Sequence, residues 1–173
     1  MKLKILFTLA IFTLIGVRVN AQDDMTPPKP VENKTLDAMI GNWAGEADMM
    51  GMKFNEEVKA YWSLNHQYVI METKDVVKDN PNMTYGGMMI LGFDKSGNVK
   101  VWWFDDWGAD AMATGTGSTV ENKLTMNSTN PMYTDDRTFE MKDGNLVCSW
   151  SSSMMGKDAK EMKMNGTTTY SKK

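Results

Sequence analysis

Residues Tyr85–Trp107 read Y-G-G-M-M-I-L-G-F-D-K-S-G-N-V-K-V-W-W-F-D-D-W. Two bulky, apolar runs flank Asp94-Lys95-Ser96-Gly97-Asn98, a cluster of turn-forming residues that predicts a hairpin. Side chains alternate along a strand, so Val99, Val101, Trp103, Asp105 and Trp107 share one face of the second run. Lys100, Trp102, Phe104 and Asp106 take the other. Three of the chain's six tryptophans fall in these nine residues. A carboxylate on the apolar face of such a strand needs a partner or a ligand.

Outward from this hairpin the period-two signal continues in both directions. Strands are predicted over Trp43–Met49, Lys53–Leu64, Tyr68–Val77, Tyr85–Phe93 and Val99–Trp107, with a polar loop at 78–83 around Pro81. Further strands follow over Met112–Val120, Leu124–Ser128, Tyr133–Lys142, Leu146–Met154 and Glu161–Tyr170. Asp143-Gly144 is a second hairpin signal. A single short helix over 35–40 precedes them, capped by Asn33 or Thr35, carrying Leu36, Met39 and Ile40 on one side and ended by Gly41. About ten sequential hairpin strands with no room for crossover helices predict an all-β, up-and-down antiparallel barrel, with the helix plugging one end. Such a barrel is wide enough inside for side chains and a small ligand.

The N-terminus predicts export. Lys2 and Lys4 precede the apolar run Ile5–Val17, and Val19-Asn20-Ala21 offers small residues for cleavage, so residues 1–21 read as a signal peptide. The apolar run is short for a membrane span, which needs roughly 20 residues. The expected location is periplasmic or secreted, with no membrane span left after cleavage. Residues 22–34, with Pro27, Pro28 and Pro30, read as a flexible leader, and residues 35–173 as one domain. Cleavage removes Lys2, Lys4 and Arg18 and no acid, so the chain's 19 basic and 22 acidic residues become 16 and 22, a net charge of −6. That balance argues against nucleic-acid binding, which needs a basic patch. Cys148 is the only cysteine, which excludes an intramolecular disulfide.

The Gly41-Asn42-Trp43 tripeptide at the start of the first strand resembles the G-x-W signature of calycin barrels. More of the chain fits a narrower resemblance: Leu91-Gly92-Phe93-Asp94, Trp103-Phe104-Asp105, Gly115, Leu124-Thr125, Arg137 before Phe139-Glu140-Met141, and Met162 with Thr168-Thr169-Tyr170-Ser171-Lys172. On these residues the chain resembles the exported, calycin-like family called domain of unknown function 1579, over about residues 35–172. The resemblance implies a lipocalin-like barrel and no established activity. Two neighbouring calycin groups differ at their binding residues. Fatty-acid-binding proteins use a helical pair after the first strand and an Arg-x-Tyr, whereas here Thr168 precedes Tyr170. Nitrobindin-like haem proteins use a histidine on a late strand, whereas the one histidine, His66, lies in an early turn.

Arg137, the only arginine beyond residue 21, falls on the apolar face of its strand with Tyr133, Asp135, Phe139 and Met141. A buried guanidinium needs a counter-ion. It can fork onto a ligand's carboxylate, phosphate or sulfate, or pair internally with Asp105 or Asp135. The expected cavity lining is Trp62, Tyr85, Trp103, Tyr133, Phe139 and Trp150, with Arg137 fixing the polar end and Asp105 as its resting partner. The preferred function is non-enzymatic binding of a small, largely apolar or amphiphilic molecule, neutral or anionic, with no cofactor.

The motifs of hydrolases, zinc proteases and thiol oxidoreductases, G-x-S-x-G, H-E-x-x-H and C-x-x-C, are missing. Gly115-Thr116-Gly117 lacks the third glycine and following helix of a dinucleotide site. The spacing of Asp105 and Asp135 does not specify an acid–base pair. The methionines support a rival reading. Thioethers select Cu(I), and Met49, Met50 and Met52 at a turn form the best candidate site. Equally, methionine is a compliant filler for an irregular cavity.

Overall fold

The computed structural model describes residues 27–155 and 161–173. The predicted signal peptide and residues 22–26 of the leader lie outside the described residues, while residues 27–33 carry no regular structure. One helix, α1 (Lys34–Met39), precedes ten strands: β1 (Gly41–Met49), β2 (Met52–Ser63), β3 (Tyr68–Val77), β4 (Asn80–Phe93), β5 (Val99–Asp105), β6 (Ala113–Val120), β7 (Lys123–Thr129), β8 (Tyr133–Lys142), β9 (Asn145–Met155) and β10 (Glu161–Lys172). Each strand pairs antiparallel with the next, and β1 pairs with β10 to close the barrel. Closure leaves no edge strand, since every strand has a neighbour on both sides. The predicted up-and-down barrel of about ten strands is the observed fold.

The turns behave as their residues dictate. Asp94 Oδ1 accepts from the backbone N–H groups of Ser96 (2.9 Å) and Asn98 (3.0 Å), and Gly97 takes φ 82°. This sets the β4–β5 register, in which Phe93 faces Val99 and Met89 faces Trp103. Asp143 and Gly144 both have positive φ (52° and 77°), as do Met50 and Gly51 (55° and 81°), the conformation that matches a two-residue hairpin to strand twist.

Two boundaries differ from expectation. The predicted loop at 78–83 is a two-residue turn, and β4 begins at Asn80. Pro81 is tolerated because the β3–β4 register shifts at Val76/Val77 and β5 pairs only from Gly87 onward. At the other end of the hairpin, β5 stops at Asp105. Its carboxylate accepts the Trp107 N–H at 3.0 Å and its carbonyl accepts the Gly108 N–H at 3.1 Å, so the chain turns before Trp107.

The short helix spans one barrel end. It enters directly before β1 yet packs on β6 and β7, which lie across the barrel from β1. Asn33 is the N-cap, its Oδ1 accepting the Leu36 N–H at 3.0 Å and its amide donating to Thr119 Oγ1 at 2.9 Å. Leu36 and Met39 are 1% exposed beneath it, and the Trp43 indole donates to the Met39 carbonyl at 2.9 Å. At this end Val69, Leu91, Val99, Leu124 and Leu146 fill the interior. The opposite end carries the polar groups.

Candidate functional site

A cavity of about 180 Å³ occupies the half of the barrel away from α1. Its position follows from strand direction: it draws mainly on the later halves of β1, β3, β5, β7 and β9 and the earlier halves of β2, β4, β8 and β10, with Tyr170 reaching in from the far end of β10. Methionine supplies much of the apolar wall, through Met49, Met89, Met126, Met154 and Met164. Aromatic rings supply the rest, from Tyr85, Trp103, Trp107, Tyr133, Trp150 and Tyr170.

Three of those rings are seated over glycines of a neighbouring strand. An added Cβ on Gly87 would fall 2.3 Å from the Trp103 ring, on Gly166 2.8 Å from Trp150, and on Gly45 2.9 Å from Tyr170. Gly166 and Trp150, like Gly45 and Tyr170, are direct cross-strand partners, while Gly87 is diagonal to Trp103. A missing side chain lets the ring fold against the sheet instead of filling the barrel. Gly87→Val is expected to displace Trp103, break its hydrogen bond to Asp105 and cost about 2–3 kcal/mol by overpacking. Urea denaturation and near-ultraviolet circular dichroism would measure both effects.

Asp105 is held by three donors. Its Oδ2 accepts from the Tyr85 hydroxyl at 2.9 Å and the Trp103 indole at 3.0 Å, and its Oδ1 takes the Trp107 N–H. Burial, reinforced by this carboxylate, pushes the Tyr85 hydroxyl well above its ordinary pKa. Arg137 pairs with Asp135 and not with the predicted Asp105. Two positions apart on one strand, they share the inner face, so Nε reaches Asp135 Oδ2 at 3.1 Å and Nη2 reaches Oδ1 at 3.5 Å. The Ser152 hydroxyl also donates to Asp135 from the facing position on β9. The guanidinium lies 5.7 Å from the centre of the Trp103 ring, within cation–π range. Burial is the largest influence and opposes its charge, but Asp135, Cys148 and Tyr170 together outweigh it and hold Arg137 above the ordinary guanidinium range.

Glu56 and Asp75, absent from the sequence-predicted site, also face this cavity. They are direct partners across β2 and β3. Glu56 Oε2 accepts the Tyr170 hydroxyl at 2.7 Å. Burial and then the Glu56 charge, opposed by Arg137, push Asp75 from 3.8 up to about 7. A carboxyl raised on folding stabilises the native state most below its unfolded pKa, and that contribution is lost as pH rises through the folded value. Asp75→Asn is therefore expected to raise stability at about pH 8 by roughly 1–2 kcal/mol, after allowance for solvent screening, and to do little below about pH 4. Thermal melts across this range would check it.

Of the residues predicted to line the site, Arg137, Asp105, Trp103, Tyr85, Tyr133 and Trp150 meet in the cavity. Trp62 and Phe139 do not. Trp62 lies near the helix, donating to Asp37 Oδ1 at 2.8 Å and stacking on His66 with ring centres 5.1 Å apart. Phe139 is 3% exposed in the packed core. Both share the inward face of their strands but sit too close to the filled end. Alternation predicts which side of a strand faces inward, and not how far along the barrel axis a residue lies. Inward glutamate and aspartate in β2 and β3 were the available signal for the missed pair.

Among the described residues, no group of three histidine, cysteine, aspartate or glutamate side chains is placed to hold a metal. The thioether candidates divide: Met49 lines the cavity, whereas Met50 and Met52 are 71% and 41% exposed at the hairpin tip. Cys148 is buried, with its thiol pushed up to about 12, mainly by burial. It is therefore a poor nucleophile at neutral pH.

The chain matches no protein-family model and no curated protein. Among solved structures it is similar to Rv2717c from M. tuberculosis, with 13% identity and a TM-score of 0.61 over 83% of this chain and 100% of that one. The similarity is one of fold, and the chemistry of the cavity rests on this chain's own side chains.

Proposed function

We propose that this protein is an exported, non-enzymatic binder that holds a small, largely apolar molecule in its barrel, and that it belongs with the calycin-like domain of unknown function 1579 proteins. The observation that carries the binding reading is the distribution of filling. One half of the barrel is packed to 0–4% exposure at residues such as Leu91, Val99 and Leu124, while the other keeps a cavity of about 180 Å³ walled by aromatic rings and thioethers. That volume is below the roughly 300–1,000 Å³ of sites for drug-sized ligands, which favours a small occupant. Five methionines suit an apolar body of irregular shape. A nucleophilic mechanism has little support: Cys148 is buried and weakly acidic, and His66 stacks on Trp62 away from the cavity.

Native mass spectrometry of the full chain expressed and exported in its own host is the direct test. The expected result is a co-purifying organic mass that is lost on denaturation. A copper adduct that disappears on replacing Met49, Met50 and Met52 would overturn this reading in favour of a thioether copper site. An unliganded mass, with no quenching of tryptophan fluorescence by small apolar probes, would overturn ligand binding altogether.

A further inference from the structure

We infer that the ligand of this cavity is a cation: a small organic ammonium whose N–H groups lie between Glu56 and Asp75 and whose apolar body lies against Trp103 and Trp150. This deepens the reading of the cavity as a ligand site and rests on it.

The first ground is charge. Among the described residues, four carboxylates line the cavity, from Glu56, Asp75, Asp105 and Asp135, against one cation, Arg137. The fork between Arg137 and Asp135 makes those two a neutral unit, with side chains 23% and 9% exposed. Among the described residues, the other three acids have no counter-ion in the cavity. An anionic ligand would have to take Arg137 from Asp135 and enter a field already negative, whereas a cation enters that field favourably.

The second ground is the balance of donors and acceptors. The hydroxyls of Tyr85, Tyr170 and Ser152 and the indole of Trp103 already donate to cavity carboxylates. Asp105, Asp135 and Glu56 receive those bonds. Among the described residues, Asp75 receives no side-chain hydrogen bond and forms no ion pair. A carboxylate offers about four lone-pair positions, so the cavity has acceptors to spare, and its complement is a ligand rich in donors.

The third ground is placement. Glu56 and Asp75 are direct cross-strand partners on the inner face, an arrangement in which like charges repel. An ammonium between them turns that repulsion into two charge-assisted hydrogen bonds. The raised pKa of Asp75 is the same repulsion and burial seen without a ligand. Aromatic faces in this cavity already accept a cation, since Arg137 lies over Trp103. Among the described residues no metal-holding group of three side chains is present, so an organic ammonium fits better than a metal ion.

The test compares three probes of one skeleton, 2-phenylethylamine, 2-phenylethanol and 3-phenylpropionate, against the full exported chain at about pH 8, where the amine is protonated and Asp75 ionised. Tryptophan quenching and native mass spectrometry would read binding. The amine is expected to bind at least about tenfold more tightly than the alcohol, as for hydrogen bonds to charged groups, with the carboxylate weakest. In Asp75→Asn and Glu56→Gln the ratio of amine to alcohol affinity should shrink severalfold. Equal binding of amine and alcohol would overturn the charge inference and leave the cavity reading standing. So would tightest binding of the carboxylate, which would move the site to Arg137. Binding of none of the three would overturn both.

Discussion

Trp43→Ala is expected to destabilise the protein by about 3–5 kcal/mol, the range for removing a fully buried aromatic side chain. The indole is 1% exposed and packs in the cluster that contains Leu36 and Met39. It is also the link between helix and barrel, donating to the Met39 carbonyl at 2.9 Å. β1, which carries it, closes the barrel by pairing with β10 through Trp43–Gly45. Trp43→Phe separates the contributions, because it keeps most of the packing and leaves the carbonyl without its donor, at a cost of about 1–2 kcal/mol. Urea unfolding of both variants would measure this. A loss below about 1 kcal/mol for the alanine variant would mean that the helix does not hold the closed end, since surface substitutions cost no more than about half of that.

The second large effect is expected at Arg137. Arg137→Met removes the one counter-ion of Asp135 among the described residues, and leaves a carboxylate, on a residue 7% exposed, facing three others across the cavity. Breaking a fully buried pair costs about 3–5 kcal/mol, and the partial exposure of this one reduces the expectation to about 2–3 kcal/mol. The double variant Arg137→Met with Asp135→Leu is expected to recover most of that loss, because the charge that needed solvation is gone. The cycle therefore yields a coupling of about 2 kcal/mol. If both single variants prove neutral, the ion pair is solvated and has no part in shaping the cavity. The same pair bears on function. An arginine already neutralised by a fork is a wall of the site, and the cavity's selectivity falls to the acids left over.

Much of this fold was legible along the chain because its signals are local. The Asp94–Asn98 and Asp143-Gly144 turns declare themselves by residue type, and strands with period-two alternation place Trp103, Asp105, Tyr133 and Arg137 inward. Residue type narrows the helix cap to Asn33 or Thr35, and the structure gives it to Asn33. Of the two misjudged boundaries, the one at Pro81 depended on where a neighbouring strand ends and the one at Asp105 on a turn closed by its own carboxylate. Asn80–Thr84 can be strand because β5 does not reach it, and β5 ends where its own aspartate accepts from the backbone beyond it.

The candidate site was legible only in part, for a geometric reason. Six expected lining residues converge, but Trp62 and Phe139 belong to the filled end, since alternation carries no information about height along the barrel axis. Partner choice was left open: Arg137 had two acids in prospect and takes Asp135, its neighbour on the inner face of β8, while Asp105 is engaged by Tyr85, Trp103 and the Trp107 N–H, and β9 adds Ser152. Glu56 and Asp75 are 19 positions apart and look like ordinary strand acids until the β2–β3 register sets them side by side.

The amino-acid sequence by itself determined the ten-stranded order, the inward faces and the single capping helix, because turn chemistry and alternation act over a few residues. Only the tertiary structure decided which end is filled, which acid neutralises Arg137 and which acids are left facing the cavity. The first and last of these depend on register and closure, which bring together side chains such as Glu56 and Asp75 that no local pattern relates.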